Sequence, residues 1–557
     1  MRKLIVLLVL ILGFSCKENK NTEKVEVVLW EPYNDSSEVA ANQDHEVKRM
    51  RYKLIQSKVL DKNEVFLPLY DEVSKVSESE YQALKPLILE QDIPTIQAHI
   101  SDGKLSYQKL VLFYLYRIYT YELDNATTLN TVIALNENVV DEARKLDELM
   151  ERSSSDAHHP IYGMPVLLKD NINTRGMKTT AGAIALRENT VDDSFIVQQL
   201  KRNGALILGK VNLSEWAYFL CSGCPVGYSA VGGQTLNPYG RRIFETGGSS
   251  SGSGTSVAAN YAVAAVGTET SGSILSPSSQ NSVVGLKPTI GLLSRTGIVP
   301  ISSTLDTPGP MTKNVVDNAI LLSALTGKDT TDSKSVAPDK DYLSVISTDL
   351  SLEGKRFGVM KNLLESDSIY KNTVEKLKDF GAQLIEFTPP EVNMDGFISI
   401  LNIDMKNDLP QYLQAYVTNK NAVTIGSVAE AVQFNEKDSL VRIPYGQALF
   451  KGILADSTDA EQLEGIKNKL EKNGRIFFDT AMDKHRLDAI LSINNYHAGY
   501  AAVAKYPALT VPMGYKENGE PISLTFIAKQ FQEHQLLQLG YAFEQATKLR
   551  KMPKGYQ

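Results

Sequence analysis

Apolar residues recur at helical intervals from about Tyr81. Ile96 and Ile100 share a face, and a dense run from Leu110 to Ile118 follows Ser106. A serine at that point caps a helix, because its side-chain oxygen takes a free N–H of the first turn. Val139, Ala143, Leu146 and Met150 mark one face of a second helix, predicted from about Asn138 to Met150, and Pro160 and Gly163 end the pattern. Residues 164–168 then read as a short buried strand running into Lys169. A helix over 194–203 and a strand over 205–208 follow, so strands and helices alternate as in α/β proteins. Residues 246–282 are dense in Gly and Ser around the apolar segment 257–266. Such a block inside a folded domain shapes a site rather than a linker. From Gly327 to about Asp483 the chain is charged and weakly patterned; strand-like runs return at 487–493 and 508–511, and a closing helix is predicted over 535–547. Residues 25–80 are mixed and give no assignment, and no internal repeat is visible.

Composition narrows the class. At roughly 150 residues per domain, a chain of 557 residues is three or four units or one large α/β unit. Lys plus Arg number 58 against 65 Asp plus Glu, a net charge of −7, which gives no global electrostatic reason to bind nucleic acid. Hydrophobic content of 43% with 22% charged residues suits a packed globular chain, not a disordered one. Three cysteines are too few for a disulfide scaffold.

The N-terminus reads as an address. Arg2 and Lys3 precede an apolar run from Leu4 to Leu12, then Gly13, Phe14, Ser15 and Cys16. The run is shorter than the about twenty residues of a membrane span but fits a signal-peptide core. A small residue before a cysteine resembles the lipobox of a bacterial lipoprotein, although Gly13 stands where an aliphatic residue is usual. The expectation is an exported protein, lipidated on Cys16 and facing the periplasm or cell surface, with residues 17–24 as a solvated tether; an ordinary secretory signal, leaving a soluble periplasmic or secreted protein, is the alternative. Residues 17–80 are taken as a tether and N-terminal extension ahead of one large domain over 81–557, which holds the weakly patterned stretch of about 328–483. In an oxidising space Cys221 and Cys224 are a local disulfide or two free thiols; nothing nearby completes a zinc site.

Three motifs are decoys. Gly204-Ala-Leu-Ile-Leu-Gly209-Lys210 approaches a phosphate-binding loop but continues with Val211, where a hydroxyl must hold magnesium. Gly248-Ser-Ser250-Ser-Gly252 formally matches a nucleophile elbow, which makes an α/β-hydrolase esterase using Ser250 with a downstream histidine (His485, His497 or His534) a rival reading. The seven histidines show no metal-binding spacing, so no metal or cofactor is implied.

The Gly/Ser block resembles the signature of the amidase signature family: Gly247-Gly-Ser-Ser-Ser-Gly-Ser253, Gly267-Thr-Glu-Thr-Ser-Gly-Ser273 and Val284-Gly-Leu-Lys-Pro288. Upstream, Gly163-Met-Pro-Val-Leu-Leu-Lys169-Asp-Asn-Ile172 is similar to the family's lysine motif. Ser214-Glu-Trp216, Gly232-Gly-Gln-Thr-Leu-Asn-Pro238 and Leu305-Asp-Thr-Pro-Gly-Pro310 look most like the peptide amidase branch. The resemblance implies that 81–557 is one catalytic α/β domain, a large mixed β-sheet sandwiched between α-helices, with a variable, substrate-side segment over about 328–483. It also implies hydrolysis of a carboxamide through an acyl-enzyme, with a small amide or a short C-terminally amidated peptide as substrate. Ser273 would be the nucleophile, Ser249 the bridging serine after a cis Gly248–Ser249 peptide, and Lys169 the base. Backbone N–H groups of Thr270, Ser271, Gly272 and Ser273 would form the oxyanion hole. A lysine acts as base only when neutral, and burial at the end of an apolar strand lowers its pKa toward that state. Ser271 and Leu275 depart from the family's common glycine and arginine, which is read as specificity; a catalytically weak or inactive surface binding lipoprotein is the other alternative. Trp216, Tyr218 and Phe219 are read as core residues before pocket residues. Membrane contact is expected only through the lipid anchor, and the oligomeric state stays open.

Overall fold

The computed structural model describes residues 27–152, 158–347 and 351–557. The leader ending at Cys16 and the tether behind it lie outside those residues. In chain order the strands are β1 (Val132–Leu135), β2 (Pro165–Lys169), β3 (Leu206–Val211), β4 (Tyr228–Ser229), β5 (Gly233–Gln234), β6 (Ala264–Glu269), β7 (Val284–Lys287), β8 (Thr307–Thr312), β9 (Arg356–Met360), β10 (Gln383–Phe387), β11 (Ala489–Ile493), β12 (Ala508–Tyr515) and β13 (Pro521–Ile527). Eleven of them form one sheet in the order β1-β3-β2-β6-β8-β7-β12-β13-β11-β9-β10; β4 and β5 make a separate small hairpin. The sheet is mixed: β2 runs parallel to β3 and β6, whereas β8 is antiparallel to β6 and β7.

Successive residues of a strand face opposite sides of a sheet. Every residue of β2, β3, β6, β7, β8, β11 and β13 is buried, so helices cover both faces of the sheet. The helices predicted from periodicity form where expected: Tyr107–Glu122 with Ser106 accepting Lys109 N–H, Val139–Arg152, Phe195–Arg202 and Glu533–Thr547.

The unassigned N-terminal extension packs into the same core. Met50, Tyr52, Ile55 and Phe66 are buried, and the helix Glu78–Ile88 runs through position 81 without a break. The weakly patterned segment after Gly327 has two parts. Strands β9 and β10 extend the sheet, while the helices Phe397–Tyr416, Val428–Glu436, Ala448–Ala455 and Ala460–His485 enclose a second apolar core with Trp216, Phe219 and Leu220. That second core sets a helical roof beside the ends of β2 and β6, where the site lies.

Candidate active site

β2 and β6 lie side by side in parallel, so their ends place Lys169 and Thr268 next to each other. The apolar run Val166–Leu167–Leu168 carries Lys169 into the interior, where it is fully buried. Its Nζ lies 2.7 Å from Ser249 Oγ, 2.8 Å from Thr268 Oγ1 and 3.0 Å from the Thr268 carbonyl oxygen. Burial lowers its pKa to about 7, against the pull of Asp306 and Glu269. A neutral lysine has two N–H groups and one lone pair. Thr268 offers an oxygen to each N–H, and the lone pair is left facing the Ser249 hydroxyl. Asn171 Nδ2 donates to Thr268 Oγ1 at 3.0 Å and fixes that hydroxyl in turn. Asp170 is no partner of this lysine. It faces Lys210 at 3.4 Å, and both are buried.

The Gly/Ser block supplies the other half. Its residues 251–258 form a short helix buried along its whole length. A Cβ on Gly252 would meet the backbone oxygen of Asn212 at 2.4 Å, so the composition serves close approach of two backbones. The Gly248–Ser249 peptide is cis. Ser214 N–H donates to the Ser249 carbonyl at 3.0 Å, and Ser250 N–H to the Ser273 carbonyl at 3.1 Å, which draws the two serine-bearing loops together. Ser273 retains 9% of its surface, unlike the fully buried Ser249.

Glu269, the last residue of β6, organises the loop that carries Ser273. Its Oε1 accepts Gly272 N–H at 2.6 Å, and its Oε2 accepts Ile274 N–H at 2.7 Å and Leu275 N–H at 3.0 Å. Gly272 therefore leaves the expected oxyanion set, because its N–H is already held by a carboxylate. The N–H groups of Thr270, Ser271 and Ser273 have no protein acceptor among the described residues. The Thr270 hydroxyl donates to Asp306, which also accepts Ile301 and Ser302 N–H at 2.8 and 2.9 Å. Burial raises Asp306 to about 6, opposed by those hydrogen bonds and by Arg295.

Ser250, the rival nucleophile, is fully buried; its hydroxyl donates to the Thr268 carbonyl at 3.0 Å and accepts Thr268 N–H at 3.2 Å. The downstream histidines lie elsewhere: His497 on Ser492 and His534 on Ser344, while the His485 carbonyl accepts from Arg356. A structural hydroxyl without a base cannot start an esterase mechanism. Among the described residues, no group of three or more His, Cys, Asp or Glu is placed to hold a metal.

A cavity of about 270 Å³ opens beside this centre, bordered by Asn171, Thr268 and Thr270 on the catalytic side. Trp216 and Phe219 point into the second core, where Trp216 packs 5.4 Å from the Phe450 ring; Ala217 between them reaches the cavity. The sequence motifs contain Thr268, Glu269 and Asp306 but give them no role, since nothing in the spacing says that these side chains turn back onto the loops. Cys221 and Cys224 form a disulfide.

The profile of the Amidase family matches residues 109–492. The chain belongs to the amidase signature family. A probable amidase of Arabidopsis thaliana is 35% identical over 480 residues, 84% of this chain and 92% of the plant protein. The crystal structure of an amidase family protein from Bacillus anthracis str. Ames is 38% identical with a TM-score of 0.84, over 90% of this chain and all of that one. The native peptide amidase of Stenotrophomonas maltophilia is 35% identical with a TM-score of 0.76, over 84% of this chain and 98% of that one. This amidase thus has the mixed-sheet fold of the family. Leu275 is buried, and its N–H is held by Glu269.

Proposed function

We propose that this amidase hydrolyses a primary carboxamide, on a small acyl group or at the C-terminus of a short peptide, through Ser273, with Ser249 and Lys169 moving the proton. Ser273 Oγ attacks the carbonyl carbon as its proton passes to Ser249 Oγ and the Ser249 proton passes to Lys169 Nζ. The oxyanion meets the N–H groups of Thr270, Ser271 and Ser273, each worth roughly 3 kcal/mol at the transition state. The proton returns through Ser249 to the amide nitrogen, the C–N bond breaks, ammonia leaves and acyl-Ser273 remains. Water then attacks the ester, giving its proton to the same relay, and Ser273 regains a proton as the carboxylate departs. The observation that carries this reading is the buried Lys169, lowered to about 7 and 2.7 Å from Ser249 Oγ. The peptide amidase likeness supports the substrate class.

Ammonia release from simple amides and C-terminally amidated peptides tests it, with Ser273→Ala and Lys169→Ala alongside. Both variants are expected to lose activity by about 10³-fold or more. Release that persists in folded Ser273→Ala would sink the assignment.

The leader ending at Cys16 supports export with a lipid on that cysteine, and the Cys221–Cys224 disulfide suits an oxidising compartment. Cys16→Ser should move the protein from the membrane to the soluble fraction; unchanged fractionation would remove the anchor from the proposal.

A further inference from the structure

The cavity beside Thr270 carries an unbalanced charge. Three carboxylates (Asp306, Asp332 and Asp408) and one cation, Arg295, line it. Arg295 is paired with Asp332: Nε donates to Asp332 Oδ2 at 2.9 Å, and its two terminal nitrogens donate to Asp332 Oδ1 and to the Ser303 carbonyl. Arg295 also acts on Asp306 and Asp408, but one cation against three carboxylates leaves the wall short of positive charge. Asp408 Oδ2 accepts Ser303 N–H at 2.7 Å, and no lysine or arginine forms an ion pair with Asp408 among the described residues. Lys467, whose charge reaches Asp408, is paired directly with Asp404 at 2.7 Å. Burial first, and then the neighbouring Asp404, raise the Asp408 pKa, while hydrogen bonds with Ser303 and the charge of Lys467 lower it. Tyr412 and Tyr416 flank the same space with ring centroids 5.4 Å apart, and aromatic faces attract a cation. The remaining wall from Ile298 to Ile301 is mostly apolar and suits a hydrocarbon stem.

From this arrangement we infer that the preferred substrate is a primary amide whose acyl portion bears a guanidinium or ammonium group, seated between Asp408, Asp306 and the two tyrosines. Loss of ammonia leaves no other place for the charge, since everything but the departing nitrogen belongs to the acyl side. The inference rests on the hydrolytic reading above and adds the chemistry of the substrate's side chain. Asp408 is then a specificity residue supplied by the variable segment.

Two matched pairs test it: N-acetyl-argininamide against N-acetyl-citrullinamide, and N-acetyl-lysinamide against N-acetyl-norleucinamide. Each pair keeps its length and loses its charge. Ammonia release is measured for the full chain and for Asp408→Asn and Asp408→Glu. The charged member of at least one pair should be favoured about tenfold or more in kcat/KM, mainly through KM. That ratio should fall toward one in Asp408→Asn and recover in Asp408→Glu. A ratio near one for both pairs in the wild type, or a preference that survives Asp408→Asn, overturns the inference. The same pairs are titrated by calorimetry into Ser273→Ala, with and without Asp408→Asn. Tighter binding of a charged ligand that depends on Asp408 upholds the cavity assignment even when no amide is turned over, in which case the hydrolytic reading alone has failed. Equal binding of charged and neutral members overturns the inference whatever the turnover.

Discussion

In the proposed reaction Lys169 serves as the base because an apolar strand delivers it to a place where its charge is unwelcome, and Thr268 aims it. With a pKa of about 7 it is mostly protonated below that pH and mostly neutral above. Activity should therefore rise about tenfold per pH unit below 7 and level off above it; a profile flat from pH 5 to 9 would contradict a titrating lysine. Linkage fixes the sign for stability. The unfolded lysine titrates near 10.4, so between about pH 7 and 10.4 the unfolded chain binds more protons and stability rises with pH. Lys169→Met should be inactive yet more stable at pH 7, by up to about 4 kcal/mol, with the gain shrinking toward pH 10. Denaturant unfolding of both proteins at the two pH values checks this. Thr268→Val keeps the carbonyl acceptor and removes the hydroxyl, so one lysine N–H loses its acceptor and the lone pair is no longer held on Ser249. It should lower kcat by about 10 to 100-fold with KM little changed. Lys169, Ser249 and Ser273 were legible as motif positions; Thr268 was not, because its role depends on β6 lying beside β2.

At the scale of elements, the loop from Thr270 to Leu275 is shaped from one end of β6. Glu269 gathers the N–H groups of Gly272, Ile274 and Leu275 onto its two oxygens, which fixes the turn that carries Ser273. Hydrogen bonds to a charged acceptor are worth about 1.5 to 3 kcal/mol each. Glu269→Ala should thus cost about 3 kcal/mol or more of stability and 10²-fold or more in kcat, read by thermal unfolding and steady-state kinetics; a stable, fully active variant would mean the loop holds its shape without the carboxylate. Element legibility followed local pattern. β2, β3, β11 and β12 were visible as apolar runs. β8 was not, since its sequence Thr-Pro-Gly-Pro-Met-Thr reads as a breaker. It is tolerated as an inner strand because β7 pairs only with Met311 and Thr312, leaving most of that edge without ladder bonds for a proline to break. The helices over the second core were missed because their apolar faces are split: Leu463 and Leu470 of Ala460–His485 turn to the second core, whereas Phe477, Phe478, Ala481 and Met482 of the same helix join the main one.

Across the whole molecule, the N-terminal extension is tied to the catalytic centre by backbone contacts that no sequence pattern announces. The Ile55 carbonyl accepts Gln234 N–H at 2.9 Å; Asn212 Nδ2 donates to the Gly233 carbonyl at 3.1 Å; and the Asn212 carbonyl accepts Gly252 N–H at 2.9 Å in the helix that follows Ser249. Asp35 Oδ2 in turn holds Ile55 and Gln56 N–H at 2.7 and 2.9 Å, and Trp30 Nε1 donates to Asn125 at 3.1 Å. Trp30, Met50, Tyr52 and Ile55 are all buried. Each buried side chain of that size contributes about 1.5 to 3 kcal/mol, so together they approach the about 5 to 15 kcal/mol by which a domain is stable at all. Removing residues 1–26 should leave the thermal midpoint and the activity of the remaining chain intact. Removing residues 1–60 should abolish soluble, cooperative folding, because it strips both the apolar cover and the strut behind the Gly/Ser helix. Thermal unfolding and size-exclusion chromatography of the two truncations decide the matter: a folded, active chain beginning at Asp61 would show that the extension is only laid on the surface, whereas loss of folding there alone makes it part of the catalytic body.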